Sequence, residues 1–256
     1  DSYESALTYI KAASQDSVAE SRIRAYLDNA PKMLRELQAN THVRFAVADK
    51  YPDYYPHLEG SLPGGRTMDP ELFDTTGLGD EMDNQQPASG NTLLMGKMSW
   101  TARQAHMAVA KQRGWMLMIV GLMLRYKLDF KQRKKGKRDR RAGLGASLVA
   151  SLRQSVADRK IPLWRNTEFT DFVISGDKVI GIEVLKDGKT ITLNARHGVI
   201  MGSGGFEQNQ SLREKYLPAP SQQAWSATPK GCNTGAALEA GQKLGAATDL
   251  LDWCWW

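Results

Sequence analysis

Phe169-Thr-Asp-Phe-Val-Ile174, Val179-Ile-Gly-Ile-Glu-Val-Leu185, Thr190-Ile-Thr-Leu193 and Gly198-Val-Ile-Met-Gly-Ser-Gly-Gly205 follow one another in close succession. The apolar pattern here has a period near two, where the segments before it have a period near 3.6. Ser175-Gly-Asp-Lys178 and Lys186-Asp-Gly-Lys189 join the first three runs. Gly-Asp and Asp-Gly pairs between apolar runs are hairpin turns, because these residues accept the positive φ that a tight turn requires. The stretch therefore predicts a three-stranded antiparallel meander, then a fourth, fully apolar strand over 198–201 that ends on glycines.

Outward from that stretch, helical spacing returns. Asn233 to Ala247 reads as a helix, and Ala146 to Arg159 as another, opened by Gly143 and Gly145. Ser99 to Arg125 is the longest helical pattern, with Met, Trp and Val on one side. Residues 2–13 and 16–38 read as helices too, the second with Ala25, Leu27, Met33, Leu34 and Leu37 at helical spacings. Between them, Tyr51-Pro-Asp-Tyr54-Tyr55-Pro-His57 and Leu62-Pro-Gly-Gly-Arg66 form a loop-rich, aromatic region, and Asp74 to Asn91 stays irregular. Loops this long are uncommon in compact domains unless they serve a function. Strands interleaved with helices place the chain in the α/β class.

Composition sets bounds. With 256 residues, 41% hydrophobic and 24% charged, the chain has the makeup of one or two globular domains and excludes wholesale disorder. Cys232 and Cys254 are the only cysteines, too few for a disulfide scaffold or a four-cysteine zinc site, and a reducing, cytoplasmic setting is expected. His42, His57, His106 and His197 lack metal-ligand spacing, so no metal is expected. No apolar run reaches the ~20 residues of a membrane span; the nearest is Gly114 to Leu124. The chain opens on Asp1 and closes on Trp253-Cys-Trp-Trp256, which reads as a fragment.

The net charge of +6 is local. Arg125 to Arg141 holds ten basic residues against Asp129 and Asp139, so the rest of the chain is slightly acidic. A solvated basic connector, contact with an anionic membrane surface and nucleic-acid binding all fit such a run. The apolar stretch Trp115 to Leu124 leading into it favours the membrane over nucleic acid, for which no aromatic platform or reader motif is present.

Two glycine sites bear on chemistry. Gly202-Ser-Gly-Gly205 has glycine at the first and third positions of a dinucleotide fingerprint, but the sixth is Glu207. What remains is a strand end without side chains, fit for close approach of a flat or phosphorylated ligand, and equally for a plain tight turn. Asn233-Thr234-Gly235 opens the last helix, where free N–H groups suit an anion or a simple cap.

Together the two sites carry a resemblance. Val199-Ile-Met-Gly-Ser-Gly-Gly-Phe-Glu-Gln-Asn209 resembles the "V-I-L-A-x-G-G-F-E-x-N" strand of flavoproteins related to fumarate reductase, and Asn233 to Ala247 resembles their "N-T-G-D-G" helix. Arg213, Tyr216-Leu217 and Trp225 lie between at matching spacings, and Leu251-Asp-Trp-Cys-Trp-Trp256 with Tyr51-Pro-Asp-Tyr54 is similar to the bacterial 3-ketosteroid Δ1-dehydrogenase branch. The resemblance implies the middle portion of a Rossmann-like FAD-binding fold with a three-stranded antiparallel meander, plus part of an α+β substrate domain. Residues 1–40 and 141–246 would belong to the FAD domain. Residues 41–140, with the basic helix-linker, and 247–256 would belong to the substrate domain. FAD would be held at Phe169, whose backbone matches the position that meets the adenine, and at Ser203, Gly204, Gly205, Asn233, Thr234 and Gly235. Ala236 replaces the family's acidic residue, which removes a polar contact near the flavin.

The resembled enzymes take a proton from C2 with a tyrosinate and pass hydride from C1 to the flavin. Tyr54 matches the tyrosine that assists the base, and Tyr51, Trp253 and Trp256 match walls of the steroid site. The base itself would lie beyond Trp256, so this chain alone is expected to be inactive. The implied partners are a 3-ketosteroid, an external electron acceptor and an anionic membrane surface, with the enzyme peripheral on the inner face of the cell membrane. The alternatives are a Δ4-type steroid dehydrogenase, a fumarate-reductase-like enzyme, or a membrane-surface binding module acting through Arg125–Arg141.

Overall fold

The computed structural model describes residues 2–254, and the chain falls into two compact units that meet between Pro162 and Leu163. In the first unit, α1 (Tyr3–Ala13) starts where Ser2 Oγ accepts the Ser5 backbone N–H and buries Ala6, Leu7 and Tyr9. α2 (Glu20–Asn40) begins later than the sequence pattern predicts. Gln15 and Asp16 take φ of 50° and 54°, which interrupts helical propagation. Its inward stripe is Ile23, Leu27, Leu34 and Leu37, while Ala25 and Met33 are exposed.

The loop-rich region contains short ladders. β1 (Phe45–Val47) pairs antiparallel with β2 (Met68–Pro70), and β3 (Phe73–Asp74) with β4 (Arg141–Ala142). A 3-10 segment, Thr75–Asn84, follows β3. The long helix expected over 99–125 is two helices, α3 (Ala102–Val109) and α4 (Trp115–Lys127). Lys111 at φ 48° and Gly114 at φ 86° break the run between them. α3 is closed at its start by a reciprocal pair of hydrogen bonds between Thr101 and Gln104. Leu122 of α4 packs with Leu94 and Met98, backed by Trp100, Met118, Ile119 and Met123. Met116, Leu117, Val120 and Leu124 of the same helix are exposed.

α6 (Leu144–Asp158) presents Ser147, Ala150, Ser151 and Ser155 inward. This small-residue face permits close approach to Leu78, Met82 and Ala142. Its hydroxyls are satisfied: Ser147 donates to the Glu71 carbonyl, and Ser155 accepts the His42 N–H at 2.9 Å.

The basic segment is folded and not a free connector. α5 (Phe130–Lys135) is capped by Asp129, whose carboxylate accepts the Gln132 N–H. Arg133 stacks 3.7 Å above the Tyr126 ring and donates to the Lys137 and Arg138 carbonyls. Arg138 donates to the Met82 and Gln85 carbonyls. Arg140 pairs with Asp129 at 3.1 Å and Asp74 at 3.5 Å. Burial holds the Arg125 and Arg138 guanidiniums below the usual arginine pKa.

In the second unit, β5 (Thr167–Ser175), β6 (Lys178–Lys186) and β7 (Lys189–Asn194) form the expected meander in the order β5-β6-β7. Asp187 and Gly188 both take positive φ at the second turn, as a two-residue hairpin demands. The fourth strand is not formed: residues 198–201 join no ladder among the described residues, and Ile200 is 98% exposed. Apolar character favours a strand, but a ladder needs a neighbour for its N–H and C=O groups. α7 (Gln210–Tyr216) and α8 (Ala236–Lys243) complete the unit. α8 is shorter than the sequence pattern, bounded by Gly235 at φ 82° and Gly245 at φ 79°.

Gly181 sits in the middle of the meander, where a Cβ would lie 2.3 Å from the Leu193 carbonyl oxygen. Gly181→Ala is expected to destabilise the protein by ~1–3 kcal/mol, the usual range for overpacking, and thermal unfolding checks it. An unchanged midpoint would mean that the β6–β7 pairing is looser than this geometry.

Candidate functional site

The expected site residues fall on both units, and each set is built by its own elements. In the first unit, the loop 48–66 leaves β1 and returns to β2. The Ala48 N–H donates to the Thr67 carbonyl, and the Gly65 N–H to that of Ala48. At Gly64 a Cβ would stand 1.9 Å from the Asp49 carbonyl oxygen, so this crossing admits only glycine. Asp53 and Arg66 pin the loop from inside. Arg66 Nη1 pairs with Asp53 Oδ2 at 2.7 Å, and its Nη2 donates to the Gly60 carbonyl and to Ser5 Oγ. The same Asp53 oxygen accepts the Leu62 N–H. The guanidinium also lies over the Tyr9 ring, whose hydroxyl accepts the Tyr55 N–H.

This frame holds Tyr51 and Tyr54 together at the loop's outer face. Their hydroxyls are 3.4 Å apart and their rings meet edge-on at 6.2 Å. The hydrogen bond to Tyr51, reinforced by its charge when ionised, raises the Tyr54 phenol above its ordinary pKa. Either hydroxyl of the pair can donate. Tyr51 also lines a cleft of about 520 Å³ with Ala48, Ala102, Ala105, Val109 and Leu144. The size and mainly apolar walls suit a compact hydrophobic ligand.

In the second unit, two turns without side chains meet. Gly202, Ser203, Gly204 and Gly205 are all exposed, and a Cβ at Gly202 would meet nothing. Gly204 has φ 80°, and its Cβ position lies 2.4 Å from Asn233 Oδ1. The Gly235 N–H donates to the Gly205 carbonyl at 3.0 Å, the Gln208 N–H to that of Asn233, and Asn209 Nδ2 to that of Thr234. Gly235 rests on Phe206 and Leu212, where any side chain would clash. The structure thus brings together Ser203, Gly204, Gly205, Asn233, Thr234 and Gly235.

Glu207 closes this pair of turns. Its Oε1 accepts from Thr228 Oγ1 at 2.7 Å and from Asn233 Nδ2 at 2.6 Å. Burial pushes the carboxyl pKa up, but these two bonds outweigh it and hold it below the ordinary value. In the sequence Glu207 breaks the dinucleotide fingerprint and falls in the Gly-Gly-Phe-Glu run of the resemblance, but nothing there assigns it this clamp. Phe169 lies in β5 opposite Val184, its ring 5.0 Å from Phe172, and takes no part in that clamp. Trp253 lines a second cleft, of about 560 Å³, with Gly205, Arg213 and Trp225. Trp256 lies outside the described residues.

A peptide run with no side chains, open at Gly202 and fixed by a second N–H-bearing turn, is the shape a planar or phosphorylated group needs in order to reach the backbone. These residues fit FAD in that respect.

Comparison with known proteins agrees. Residues 1–256 match the FAD binding domain family. The chain is 36% identical over 244 residues to a 3-oxosteroid 1-dehydrogenase of Comamonas testosteroni, covering 94% of this chain and 42% of that protein. It superposes on the crystal structure of 3-ketosteroid Δ1-dehydrogenase from Sterolibacterium denitrificans, in complex with 1,4-androstadiene-3,17-dione, with a TM-score of 0.97 at 49% identity. That match covers 100% of this chain and 46% of the other. A 3-ketosteroid Δ4-(5α)-dehydrogenase from Rhodococcus jostii is similar in fold alone, with a TM-score of 0.55 at 14% identity. The chain spans a little under half the length of these proteins.

Removing the Tyr51 hydroxyl tests the tyrosine pair. In Tyr51→Phe the Tyr54 phenol loses the bond that holds its proton, so tyrosinate absorbance is expected to rise at lower pH than in the parent. An identical titration curve would mean the two hydroxyls do not interact in solution.

Proposed function

Since the chain belongs to the FAD binding domain family along its whole length, we propose that it is the central part of a flavoenzyme that introduces a C1–C2 double bond into 3-ketosteroids. The observation that carries the reading is the 0.97 superposition, at 49% identity, on a steroid-bound Δ1-dehydrogenase. The Δ4 alternative has only a likeness of fold behind it. A fumarate-reductase-like activity would call for several arginines to clamp a dicarboxylate, whereas the cleft at Tyr51 is mainly apolar and has one, Arg103.

On this reading, backbone groups of Ser203, Gly204, Gly205 and Asn233–Gly235 hold the cofactor as part of a Rossmann-like domain, with the Phe169 backbone at its adenine end. FAD supplies the hydride acceptor. Tyr54 keeps its proton and donates to a neighbouring phenol oxygen, which makes that phenol a stronger acid and hence usable as a base at neutral pH. Tyr51 forms a wall of the steroid cleft in the first unit. Ala236 leaves the cofactor one polar contact short of the family pattern. The segments before residue 40 and from 141 to 246 form the flavin-binding part. α6 meets the segment before residue 40 where Arg159 donates to the Asn40 carbonyl, and its small-residue face packs on Leu78 and Met82. Residues 41–140 and 247–256 then supply the substrate part. An external acceptor reoxidises the flavin.

The substrate's apolar character agrees with a place on an anionic membrane surface. α4 and its continuation expose Leu117, Val120, Leu124, Leu128 and Phe130, directly beside exposed Lys127, Lys131, Lys134, Lys135 and Lys137. An apolar face rimmed by lysines suits interfacial docking. No helix among the described residues is long and apolar enough to cross a membrane. The free, exposed thiols of Cys232 and Cys254 suit the reducing, cytoplasmic side.

Two measurements test these readings. The full-length protein is expected to show a bound-flavin band near ~450 nm that bleaches on adding a 3-ketosteroid. Tyr54→Phe should retain the band and slow the bleach about 100-fold, the lower range for loss of an acid–base group. A protein without flavin would sink the reading, and an unslowed bleach would remove Tyr54 from it. For the surface, flotation with anionic liposomes should be lost at high salt and after Lys131, Lys134, Lys135 and Lys137 are changed to Gln. Binding that survives both would exclude the lysine rim.

A further inference from the structure

The cleft at Tyr51 combines apolar walls with exposed cations. α3 turns two stripes toward it. Ala102, Ala105 and Val109, spaced i, i+3 and i+7, form an apolar wall. Arg103 and His106, one helical turn apart, lie next to that stripe and line the same space, as does Lys50 beside Tyr51 in the loop. Asp49 is the one acid in the lining, which leaves it one positive charge in excess at neutral pH. Arg103 and Lys50 are exposed, and among the described residues no carboxylate lies within ion-pair distance of either. The backbone N–H groups of Ala102 and Arg103 are already taken by Asp69, so α3 acts on the cleft through its side chains. Gln112 Nε2 lies 3.4 Å from His106 Nδ1. An amide nitrogen only donates, which leaves the neutral imidazole its proton on Nε2.

A steroid ring system gains from the Ala102–Val109 stripe by burying apolar surface, and it gives a cation nothing to bind. An apolar wall with a guanidinium along its edge suits a ligand that is apolar over most of its length and anionic at one end. The planar fork of Arg103 can receive both oxygens of a carboxylate, and one excess positive charge matches a monoanion. The reacting ring of a 3-ketosteroid carries the ketone, so the anion must sit on the side chain at the opposite end of the ring system. We propose, resting on the reading of this chain as part of a 3-ketosteroid dehydrogenase, that the cleft selects 3-ketosteroids whose side chain ends in a carboxylate. The rings lie on Ala102, Ala105 and Val109, and the carboxylate meets Arg103, with the His106 N–H as a second donor. Because Arg103 is exposed, the carboxylate keeps part of its water. Arg103 therefore sets a preference among steroids and is not a condition for binding one.

The test is steady-state turnover by the full-length flavoprotein at pH 7, with an artificial electron acceptor, of 3-oxochol-4-en-24-oate and of its uncharged amide. The kcat/KM for the carboxylate is expected to exceed that for the amide about 5-fold, the upper range for an exposed ion pair. That ratio should shrink toward one at high salt. Arg103→Gln should bring it toward one as well, and Arg103→Lys, which keeps the charge without the fork, should retain part of it. Asp49→Asn, which removes the one acid, should raise it. Comparing the two probes on one variant cancels any general loss of activity. Should Arg103→Gln fail to fold, the salt dependence and Asp49→Asn decide the matter. A neutral steroid without a side chain, 4-androstene-3,17-dione, separates this inference from the reading beneath it. If the dione is turned over while acid and amide are used equally or not at all, or if the ratio survives Arg103→Gln, the carboxylate preference is overturned and the dehydrogenase reading is untouched. If no 3-ketosteroid is turned over, the dehydrogenase reading fails and the preference falls with it.

Discussion

The Glu207 carboxylate fixes how the two glycine-bearing turns of the second unit meet. It ties Asn233 and Thr228 to the segment that follows Gly202–Gly205. Gly204 takes φ 80°, which glycine adopts freely, and Asn233 takes φ 49°, which costs a residue with a side chain. The latter persists because the Asn233 side chain is wedged against Gly204 on one side and bonded to Glu207 on the other. Ionised Glu207 accepts both donors at once, and its lowered pKa records that the charged form is the one the fold stabilises. The same contact explains the failed dinucleotide fingerprint. A glycine at its sixth position serves close packing of a helix on a strand, whereas here α7 starts only at Gln210 and residue 207 acts as a clamp.

Local chemistry was legible in the sequence wherever it determined local structure. The meander is one case, because hairpin turns and alternation specify it without help from distant residues. The strand at 198–201 was misread for the opposite reason: its apolar side chains suit a sheet whose ladder partner no local pattern can supply. The helix over 99–125 failed at Lys111 and Gly114, where composition was helical but backbone conformation was not. At the site, the glycines and the Tyr51–Tyr54 spacing could be read directly. The role of Glu207 could not, because it depends on groups brought together by the turn near residue 228.

The basic segment shows how little a charge count says about a surface. Arg125, Arg133, Arg138, Arg140 and Arg141 are all at least half-buried, and four of them hold carbonyls or carboxylates of the surrounding loops. Lys127, Lys131, Lys134, Lys135 and Lys137 are all exposed. The division follows from chemistry. A guanidinium satisfies several carbonyls from one rigid plane and tolerates partial desolvation, while an ammonium holds its water more tightly. The arginines therefore fold the segment, and the lysines are left to act on whatever approaches it.

The tyrosine pair limits what this chain contributes to catalysis. A phenol serves as a base only when its pKa is brought down toward the working pH, and Tyr54 is shifted the other way by Tyr51. In this pair either hydroxyl can give the hydrogen bond, and the shift on Tyr54 does not favour loss of its proton. The Asp53–Arg66 lock beneath it fixes the loop backbone, while the Tyr54 side chain itself is exposed. Preorganised donors are effective where negative charge develops during proton removal. On the proposed reading, this chain positions the cofactor, walls the substrate and polarises a base, while the proton acceptor stands on another part of the protein.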